Sequence, residues 1–361
     1  MTLEQIRRGL KRDKLDALLV SQPENRHYLS GYTAHDSSIA ESSGVLLIPA
    51  TGKPMLLTDS RFLLQAQAEA RDFTVALYPN GLLALLKKLL PGLGVKRLGF
   101  ESHWTLHSFA GKLAKTAKEL KIELVPLSGL IEKERLCKSK AELEKIAASV
   151  KLNEAIFQDA YKAMRPGQTE RQVANHIETL MRERAQGPSF ATIVAAGPNG
   201  ALPHAVPSDR PIMEGEPVVI DMGLILDGYC SDMTRTVVLG QPDAKMVEVS
   251  RIVRQAQLAA TKVIRAGITG REVDRVARQV IGAAGYGKYF GHGLGHGVGL
   301  AVHEGPSLNR RNRRQLRPGM VVTVEPGIYL EGWGGVRLEN MVVVEETGAR
   351  LLNRDTTCLD L

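Results

Sequence analysis

Cysteine, aromatic residues and long apolar runs are all scarce in this sequence. Its three cysteines, Cys137, Cys230 and Cys358, are far apart and odd in number, which argues against a disulfide framework and fits a reducing cytoplasm. No apolar run reaches the roughly eighteen residues that a spanning helix needs, so we expect no membrane segment. The N-terminal residues carry charges but no apolar core followed by a small-residue cleavage site, and therefore do not predict a secretory signal.

The low aromatic content also limits which binding partners the positive charge can indicate. Aromatic residues make up only 5% of the chain, too few for a surface that stacks nucleic-acid bases, although the net charge is +8 and the pI is near 9.3. We therefore expect no nucleic-acid partner. The sharpest basic cluster, RRNRR at Arg310–Arg314, fits two interpretations. The scattered charges elsewhere favour a solvated loop, and the alternative is a contact for an anionic partner.

Length and composition predict two domains, because 361 residues are too many for one small domain. Up to about residue 127, helical stretches alternate with short apolar runs such as DALLVS and GVLLIP, which predicts an α/β domain with its own core. A charged, strongly helical composition follows, and Ser139 lies three residues before Glu142, a capping-box spacing that starts a helix. We place the domains at 1–130 and 131–361.

The second domain contains an internal repeat. The segments RPGQTERQVANHI and RAGITGREVDRVA share Arg, Gly, Thr, Arg and Val at matching positions. Each copy has its own capping-box spacing, Thr169 with Gln172 and Thr269 with Glu272, so each begins a helix after a turn. We interpret this as a duplication rather than chance similarity, and predict two related α/β halves whose sheets meet with a cleft between them.

Two aspartates lie on either side of a predicted hairpin. In EPVVIDMGLILDGYCSDMTRTVVLG, Asp227–Gly228 separates two apolar runs, which is the strongest short signal for a hairpin turn. If this pair forms the loop, Leu226 pairs with Tyr229, and Asp221 lies diagonal to Asp232 on the same face, about 7–8 Å away. Both carboxylates can then reach one point. Such a pair on an apolar hairpin is costly unless something neutralises it; the alternative is a solvent-facing pair.

A second pair of carboxylates follows near the C-terminus. MVVTVEPGIYLEGWGGVRLENMVVV sets Glu325 at the end of one β-rich run and Glu339 at the start of the next, with three glycines turning the chain between them. Four carboxylates with an imidazole make a site for hard divalent cations. Since four carboxylates carry too much negative charge for one ion, we predict two, in the arrangement where a shared hydroxide attacks a carbonyl.

Three histidines lie in the glycine-rich segment YFGHGLGHGVGLAVHEGP: His292, His296 and His303. One of them should complete the metal shell, and the other two are available for acid–base and electrophilic work. The glycines allow close approach of backbone and substrate. If the segment after His296 runs as a strand, its odd spacing of seven puts His303 on the opposite face, so His303 should not join the same metal shell unless the chain bends at a glycine.

These motifs resemble those of a known family. Residues 138 to 361 resemble the pita-bread metallopeptidases: methionine aminopeptidase, aminopeptidase P and prolidase. The resemblance rests on PHA, DMG, SDMTRT, GHGVGLAVHE, VEPGIY and GGVRLEN, and weaker likeness in DALLVSQPENRHYLSGYT and LLTDSRF extends it to the N-terminal domain. It implies an α/β N-terminal domain followed by an α+β pita-bread (creatinase/aminopeptidase) catalytic domain with an internal pseudo-twofold duplication.

The resemblance implies five metal ligands: Asp221, Asp232, His296, Glu325 and Glu339. In the family pattern Asp221 chelates one ion, His296 and Glu325 hold the other, and Asp232 and Glu339 bridge the two. The implied cofactor is two divalent ions. The carboxylate-rich shell favours manganese, with cobalt, iron or zinc as alternatives.

The same resemblance assigns the catalytic residues His204, His292, His303, Glu325 and Arg337. His303 polarises the scissile carbonyl, His204 and His292 orient the substrate, and Glu325 takes a proton from the bridging water. Arg337 supports the metal-bound carboxylates. The chain departs from many relatives in having Asn340 where they have Asp. We expect Cys230 to be a packed side chain rather than a thiolate ligand.

The N-terminal domain points to the proline-specific branch of the family, because the methionine aminopeptidases usually lack it. We expect an Xaa-Pro peptidase of the aminopeptidase P type, with the Xaa-Pro dipeptidase prolidase as the alternative. Remote alternatives on this fold are a non-catalytic binding module and a creatinase-like amidinohydrolase. The expected partners are Xaa-Pro peptides or dipeptides and a second copy of the chain in a homodimer.

Overall fold

A computed structural model describes residues 3–356 of the chain, so Cys358 lies outside the described residues. The chain folds as two compact units, Met1–Glu134 and Arg135–Leu361. Within residues 3–356, every helix is too short or too polar to cross a membrane.

The first unit is built on one six-stranded sheet in the order β4-β3-β2-β1-β5-β6. Strand β1 is antiparallel to β2 and parallel to β5. Apolar cores cover both faces of the sheet, which is why its central strands read as short continuous apolar runs. Its elements are α1 (Leu3–Arg12), β1 (Ala17–Val20), α2 (Pro23–Ser30), β2 (Val45–Pro49), β3 (Met55–Thr58), α3 (Leu63–Glu69), β4 (Thr74–Leu77), α4 (Leu82–Gly92), β5 (Arg97–Glu101), α5 (His107–Glu119) and β6 (Glu123–Leu127); α6 (Glu132–Arg135) ends it.

The second unit alternates long helices with short antiparallel strands. Its sheets have the orders β11-β8-β7 and β13-β12-β14-β17-β18, and β9-β10 and β15-β16 are two-stranded. Its elements are α7 (Lys140–Ala163), α8 (Glu170–Arg184), β7 (Ile193–Ala196), β8 (Pro217–Met222), β9 (Ile225–Leu226), β10 (Tyr229–Cys230), β11 (Met233–Val238), α9 (Ala244–Val263), α10 (Gly270–Ala283), β12 (Gly295–Gly297), β13 (Glu304–Leu308), β14 (Val321–Val324), β15 (Gly327–Leu330), β16 (Gly334–Arg337), β17 (Asn340–Val344) and β18 (Ala349–Leu351).

The repeat in the sequence corresponds to two matching helix pairs. Helices α7 and α8 precede the sheet of the first half, and α9 and α10 precede the larger sheet of the second. The capping box predicted for each copy of the repeat is formed, with the Thr169 hydroxyl accepting from the backbone N–H of Gln172 and the Thr269 hydroxyl accepting from that of Glu272. Each half buries its own apolar core. The duplicated architecture is therefore confirmed, and it presents two sheet edges from which polar side chains can converge.

Candidate metal centre

The first two carboxylates are set by the hairpin of β9 and β10. Asp227 and Gly228 both have positive φ, at 49° and 79°, as a type I′ turn requires. Leu226 pairs with Tyr229 as predicted, and the same register continues into β8 and β11. In that register Asp221 lies opposite Thr234, and Thr234 is two residues after Asp232 in the same chain segment. The predicted diagonal relation is thus confirmed, and both aspartates line one cavity.

The other two carboxylates come from the ends of β14 and β17. These strands are antiparallel, with Val324 opposite Asn340. Glu325, which directly follows β14, therefore lies near Glu339, which directly precedes β17. The Thr234 hydroxyl donates to Glu339 Oε2 over 2.7 Å, and the Glu339 N–H donates to the Thr234 carbonyl over 3.1 Å. These two bonds join the sheets of the two halves and bring Glu339 to the aspartate hairpin.

His296 is the imidazole nearest to the carboxylates. Its Nε2 lies 3.5 Å from Asp232 Oδ2 and 3.4 Å from Glu325 Oε1. Its Nδ1 lies 3.0 Å from the Gly297 carbonyl oxygen, so the proton belongs on Nδ1 and the Nε2 lone pair faces the acids. Each of three residues has a potential ligand atom within 4.8 Å of those of the other two: Asp232, His296 and Glu339.

Two glycines allow His296 to approach this point. A Cβ at Gly295 would lie 2.1 Å from the Thr323 carbonyl oxygen, and one at Gly297 would lie 2.1 Å from the Gly305 carbonyl oxygen. Strand β12 can therefore pack against β13 and β14 only because these positions lack side chains. The glycines of the sequence motif are explained at these two positions by backbone packing.

The cluster carries unfavourable charge that a cation would neutralise. Burial, with repulsion from Glu339 second, raises the pKa of Asp232 well above its ordinary value. Burial, followed by the charges of Glu325 and Asp221, does the same for the pKa of Glu339, and burial raises the pKa of Glu325 to about 8. Asp221 Oδ1 and Glu339 Oε1 are buried and have no hydrogen-bond partner among the described residues. Buried, unpartnered carboxylate oxygens beside an imidazole fit divalent cations.

Arg337 lies beside this cluster and is itself buried. Its Nη2 donates to Asp221 Oδ2 over 2.6 Å, and its Nε donates to the Thr234 hydroxyl over 3.0 Å. Burial alone would lower the pKa of Arg337, but Tyr329 and Asp221 outweigh it and hold the pKa well above its ordinary value. The guanidinium therefore stays charged and donates a hydrogen bond to one carboxylate oxygen of Asp221. The second carboxylate oxygen of Asp221 is left available for another contact.

Tyr329 links Arg337 to His292, a connection that the sequence analysis did not predict. Its hydroxyl lies 2.8 Å from Arg337 Nη1 and 2.8 Å from His292 Nε2. Burial raises the pKa of Tyr329 to about 12, and burial lowers the pKa of His292 to about 4, so both groups are neutral near pH 7. The only signal in the sequence was the tyrosine that ends VEPGIY, two residues into the next strand.

His303 does not follow the predicted strand geometry. Strand β12 ends at Gly297, and the chain turns back so that Glu304, the first residue of β13, pairs with Gly297. The His296 and His303 rings consequently lie 4.2 Å apart between centroids, edge to face. The expectation that an odd spacing puts the rings on opposite faces was wrong because residues 298–303 form a bend. Burial lowers the pKa of His303 below its ordinary value.

A cavity of about 560 Å³ collects the residues singled out in the sequence. The metal-ligand candidates and the three helper histidines line it: Asp221, Asp232, His296, Glu325, Glu339, His204, His292 and His303. Arg337 lines it as well, together with apolar side chains that include Phe190, Ile193 and Val206. Cys230, by contrast, packs in an apolar cluster with Val298 and is not part of the cavity wall.

Comparison with known proteins identifies the family. Residues 144–346 match metallopeptidase family M24, and residues 3–137 match the creatinase/prolidase N-terminal domain. The chain belongs to metallopeptidase family M24. Its resemblance to this family, its pita-bread catalytic domain and its nature as a metallo-exopeptidase are thereby confirmed.

Relatives of this M24 peptidase match nearly the whole chain. The Xaa-Pro dipeptidase of Pyrococcus horikoshii is 35% identical over 96% of this chain and 94% of its own length. The structure of an Xaa-Pro dipeptidase from Bacillus anthracis has 37% identity and a TM-score of 0.90, covering 98% of this chain and 97% of its own. An X-Pro aminopeptidase structure from Thermotoga maritima has 36% identity and a TM-score of 0.91, with 98% of both chains covered. These names support the dipeptidase alternative better than the aminopeptidase P type that we had placed first.

In the M24 peptidase, the residue after His303 has a structural role that the sequence did not reveal. The Glu304 side chain is 9% exposed and forms ion pairs with Lys138, at 2.7 Å, and with Arg135, both of them more deeply buried. Burial opposes ionisation of Glu304, but Lys138 and then Arg135 outweigh it and hold its pKa below its ordinary value. A Cβ at Gly299 would lie 2.4 Å from the same carboxylate, so Glu304 also fills the space inside the bend.

Glu304→Gln is expected to destabilise the enzyme by about 3–5 kcal/mol, because it removes the carboxylate charge that balances the buried ammonium group of Lys138. Unfolding in urea, followed by circular dichroism, would show a lower midpoint. Glu183→Gln on the exposed surface of α8 removes the same charge and should leave the midpoint unchanged. Equal stability of the two variants would mean that the ion pairs of Glu304 do not hold the bend.

Proposed function

We propose that this M24 peptidase is a metal-dependent Xaa-Pro dipeptidase, which hydrolyses the bond between an N-terminal residue and a C-terminal proline. The observation that carries the proposal is the cluster of buried carboxylates around His296, with unpartnered oxygens on Asp221 and Glu339, in the wall of one cavity. The choice of substrate is supported by relatives named Xaa-Pro dipeptidase that match nearly the full chain.

The chain would hold two divalent ions, and we propose manganese as the physiological one because the donors are mainly carboxylate oxygens. Asp221 would hold one ion, His296 and Glu325 the other, and Asp232 and Glu339 would contact both. When bound, such ions supply Lewis acidity toward a carbonyl and lower the pKa of water.

The remaining residues act on the substrate directly or through these ligands. His303 is directed to the cavity beside His296, where it can donate a hydrogen bond to the scissile carbonyl oxygen as negative charge develops. Glu325 lines the same cavity, where its carboxylate can accept a proton and return it. His204 and His292 line the same cavity and would orient the peptide.

A second candidate is the Xaa-Pro aminopeptidase, which the similarity to the Thermotoga maritima structure favours. The two activities differ in substrate length. We expect cleavage of Ala-Pro in the presence of manganese, and little or no release of alanine from Ala-Pro-Ala. Efficient cleavage of the tripeptide at the Ala-Pro bond would instead establish the aminopeptidase, and failure on both peptides with metal bound would refute proline specificity.

We also propose a cytoplasmic location and a homodimer. Cys137 has a free thiol, and the few, widely spaced cysteines of the sequence support a reducing compartment. The homodimer rests on the family resemblance alone, and sedimentation equilibrium of the purified chain would test it.

A further inference from the structure

The C-terminal segment Asn353–Asp355 returns to the strands that carry the metal-ligand candidates without reaching the catalytic cavity. Asn353 Oδ1 accepts from the backbone N–H of Met341 on β17 over 2.7 Å. Asp355 forms an ion pair with Arg254 of α9, whose Nη2 donates to Asp355 Oδ2 over 2.6 Å and whose Nη1 donates to Asp355 Oδ1. Neither Asn353 nor Asp355 lines the cavity, so an influence of this segment on the metal centre has to pass through other residues.

Asp355 fixes the orientation of the buried amide of Asn340. The Asn340 Nδ2 donates to Asp355 Oδ1, and the Asn340 Oδ1 accepts from Arg235 Nη2 over 2.9 Å. Burial alone would raise the pKa of Asp355, but Arg254 outweighs it and holds that pKa below its ordinary value, so the carboxylate is ionised near pH 7. An ionised carboxylate only accepts hydrogen bonds and a guanidinium only donates them, so the amide satisfies both neighbours in this one orientation.

Arg235 connects the amide of Asn340 to the metal-ligand candidate Glu339. Its side chain is buried, and its Nη1 donates to the Glu339 carbonyl over 2.6 Å and to the Thr234 carbonyl over 3.0 Å. Its Nη2 donates to Asn340 Oδ1. The guanidinium is planar and rigid, so the oxygen that fixes one of its terminal nitrogens also fixes the direction in which the other one points. The orientation of Asn340 therefore decides where Arg235 holds the backbone of Glu339.

A second buried amide, that of Gln257, links Asp355 to the strand that leads to Glu325. Arg254, the ion-pair partner of Asp355, donates from Nη1 to Gln257 Oε1 over 2.9 Å. The Gln257 Nε2 donates to the carbonyl of Val324 over 3.3 Å. Because Arg254 can only donate, Gln257 has to turn its oxygen toward Arg254 and its NH₂ group toward the strand. Val324 is the last residue of β14, and Glu325 follows it directly.

We propose that Asp355 is a positioning residue for the metal centre, which orients the amides of Asn340 and Gln257 so that each supports the end of one ligand-bearing strand. This inference rests on the proposed metal-dependent function and deepens it. Glu325 and Glu339 come from different strands, so the distance between their carboxylates depends on how firmly the two strand ends are held. Groups that hold metal ligands in place raise the affinity for the ion without touching it.

The test is Asp355→Asn in the full chain, stripped of metal and titrated with manganese by calorimetry. An amide here presents either an oxygen or an NH₂ group to Asn340, and it loses the charge that holds Arg254. Affinity for manganese should fall about three- to tenfold, less than the roughly 10–100-fold loss that follows removal of a direct partner of a metal ligand. At limiting manganese, kcat/KM for Ala-Pro should fall by the same factor. Excess manganese should restore it, because Asp355 is outside the cavity.

Asp355→Glu keeps an acceptor that is negatively charged and serves as the conservative variant. The Asp355 side chain is 26% exposed, so the longer side chain has space toward solvent. This variant should bind manganese nearly as tightly as the wild type. Equal weakening in Asp355→Glu and Asp355→Asn would overturn the inference, because the charge of the group would then not be what orients the two amides.

Glu216→Gln is the matched control, because it removes a comparably exposed carboxylate that pairs with two nitrogens of Arg210. It should lower the melting temperature about as much as Asp355→Asn does and leave manganese affinity unchanged. A weakening equal to that of Asp355→Asn would refute the inference, since loss of any ion pair would then suffice. Wild-type affinity in Asp355→Asn would also refute it and leave the proposed function intact. If the wild type binds no manganese, the proposed function fails first and the inference fails with it.

Discussion

Asp232→Asn is expected to lower turnover by about 10³-fold and to reduce the amount of bound metal. Asp232 is almost fully buried, and its carboxylate faces His296. Burial, followed by the charges of Glu339 and Asp221, raises its pKa. An amide in this place removes one of the charges that would balance two cations, and weakens Lewis-acid assistance worth several kcal/mol. Elemental analysis and titration calorimetry should show that both ions bind more weakly, since Asp232 is proposed to contact both.

The melting temperature of metal-free protein separates this effect from damage to the fold. Asp232 is surrounded by other buried acids, so its neutral isostere should leave the metal-free protein at least as stable as the wild type. Asp209→Asn, at an exposed surface position, serves as the control and should change neither metal content nor turnover. Two ions bound to Asp232→Asn with wild-type affinity would show that Asp232 is not a shared ligand.

His303→Ala is expected to lower kcat by about 10²–10³-fold while metal content stays at the wild-type level. The ring lines the cavity next to His296, and His303 is not among the five residues that we propose as metal ligands. Loss of a hydrogen-bond donor to the developing oxyanion affects the transition state more than the bound substrate, so KM should change little. His303→Gln keeps an N–H donor and should recover part of the lost kcat.

Three measurements on the same sample decide the role of His303: bound metal, melting temperature and kcat. His176→Ala, on the exposed surface of α8, is the matched control and should behave as wild type in all three. Loss of metal from His303→Ala would make His303 a ligand. A lower melting temperature with nearly normal kcat would make it a packing residue.

The sequence by itself determined the features that depend on neighbouring residues. The Asp227–Gly228 pair adopts positive φ with little strain, so it fixes the turn, and the turn fixes the register that brings Asp221 and Asp232 together. The capping boxes at Thr169 and Thr269 likewise depend on residues three positions apart. Turns and helix starts of this kind can be predicted from a few neighbouring residues, without knowing where the rest of the chain lies.

The tertiary structure decided the contacts between segments that are distant in the chain. Glu339 meets the hairpin because it bonds with Thr234 of another sheet, and Tyr329 connects Arg337 with His292 only after the strands have paired. No propensity predicts such pairs, since they result from which apolar faces are buried together. His303 shows the limit most clearly. Whether an odd spacing separates two rings or brings them into contact depends on whether the intervening glycine-rich backbone extends or bends. Here it bends, because Glu304 pairs with Gly297 when β13 lies antiparallel to β12.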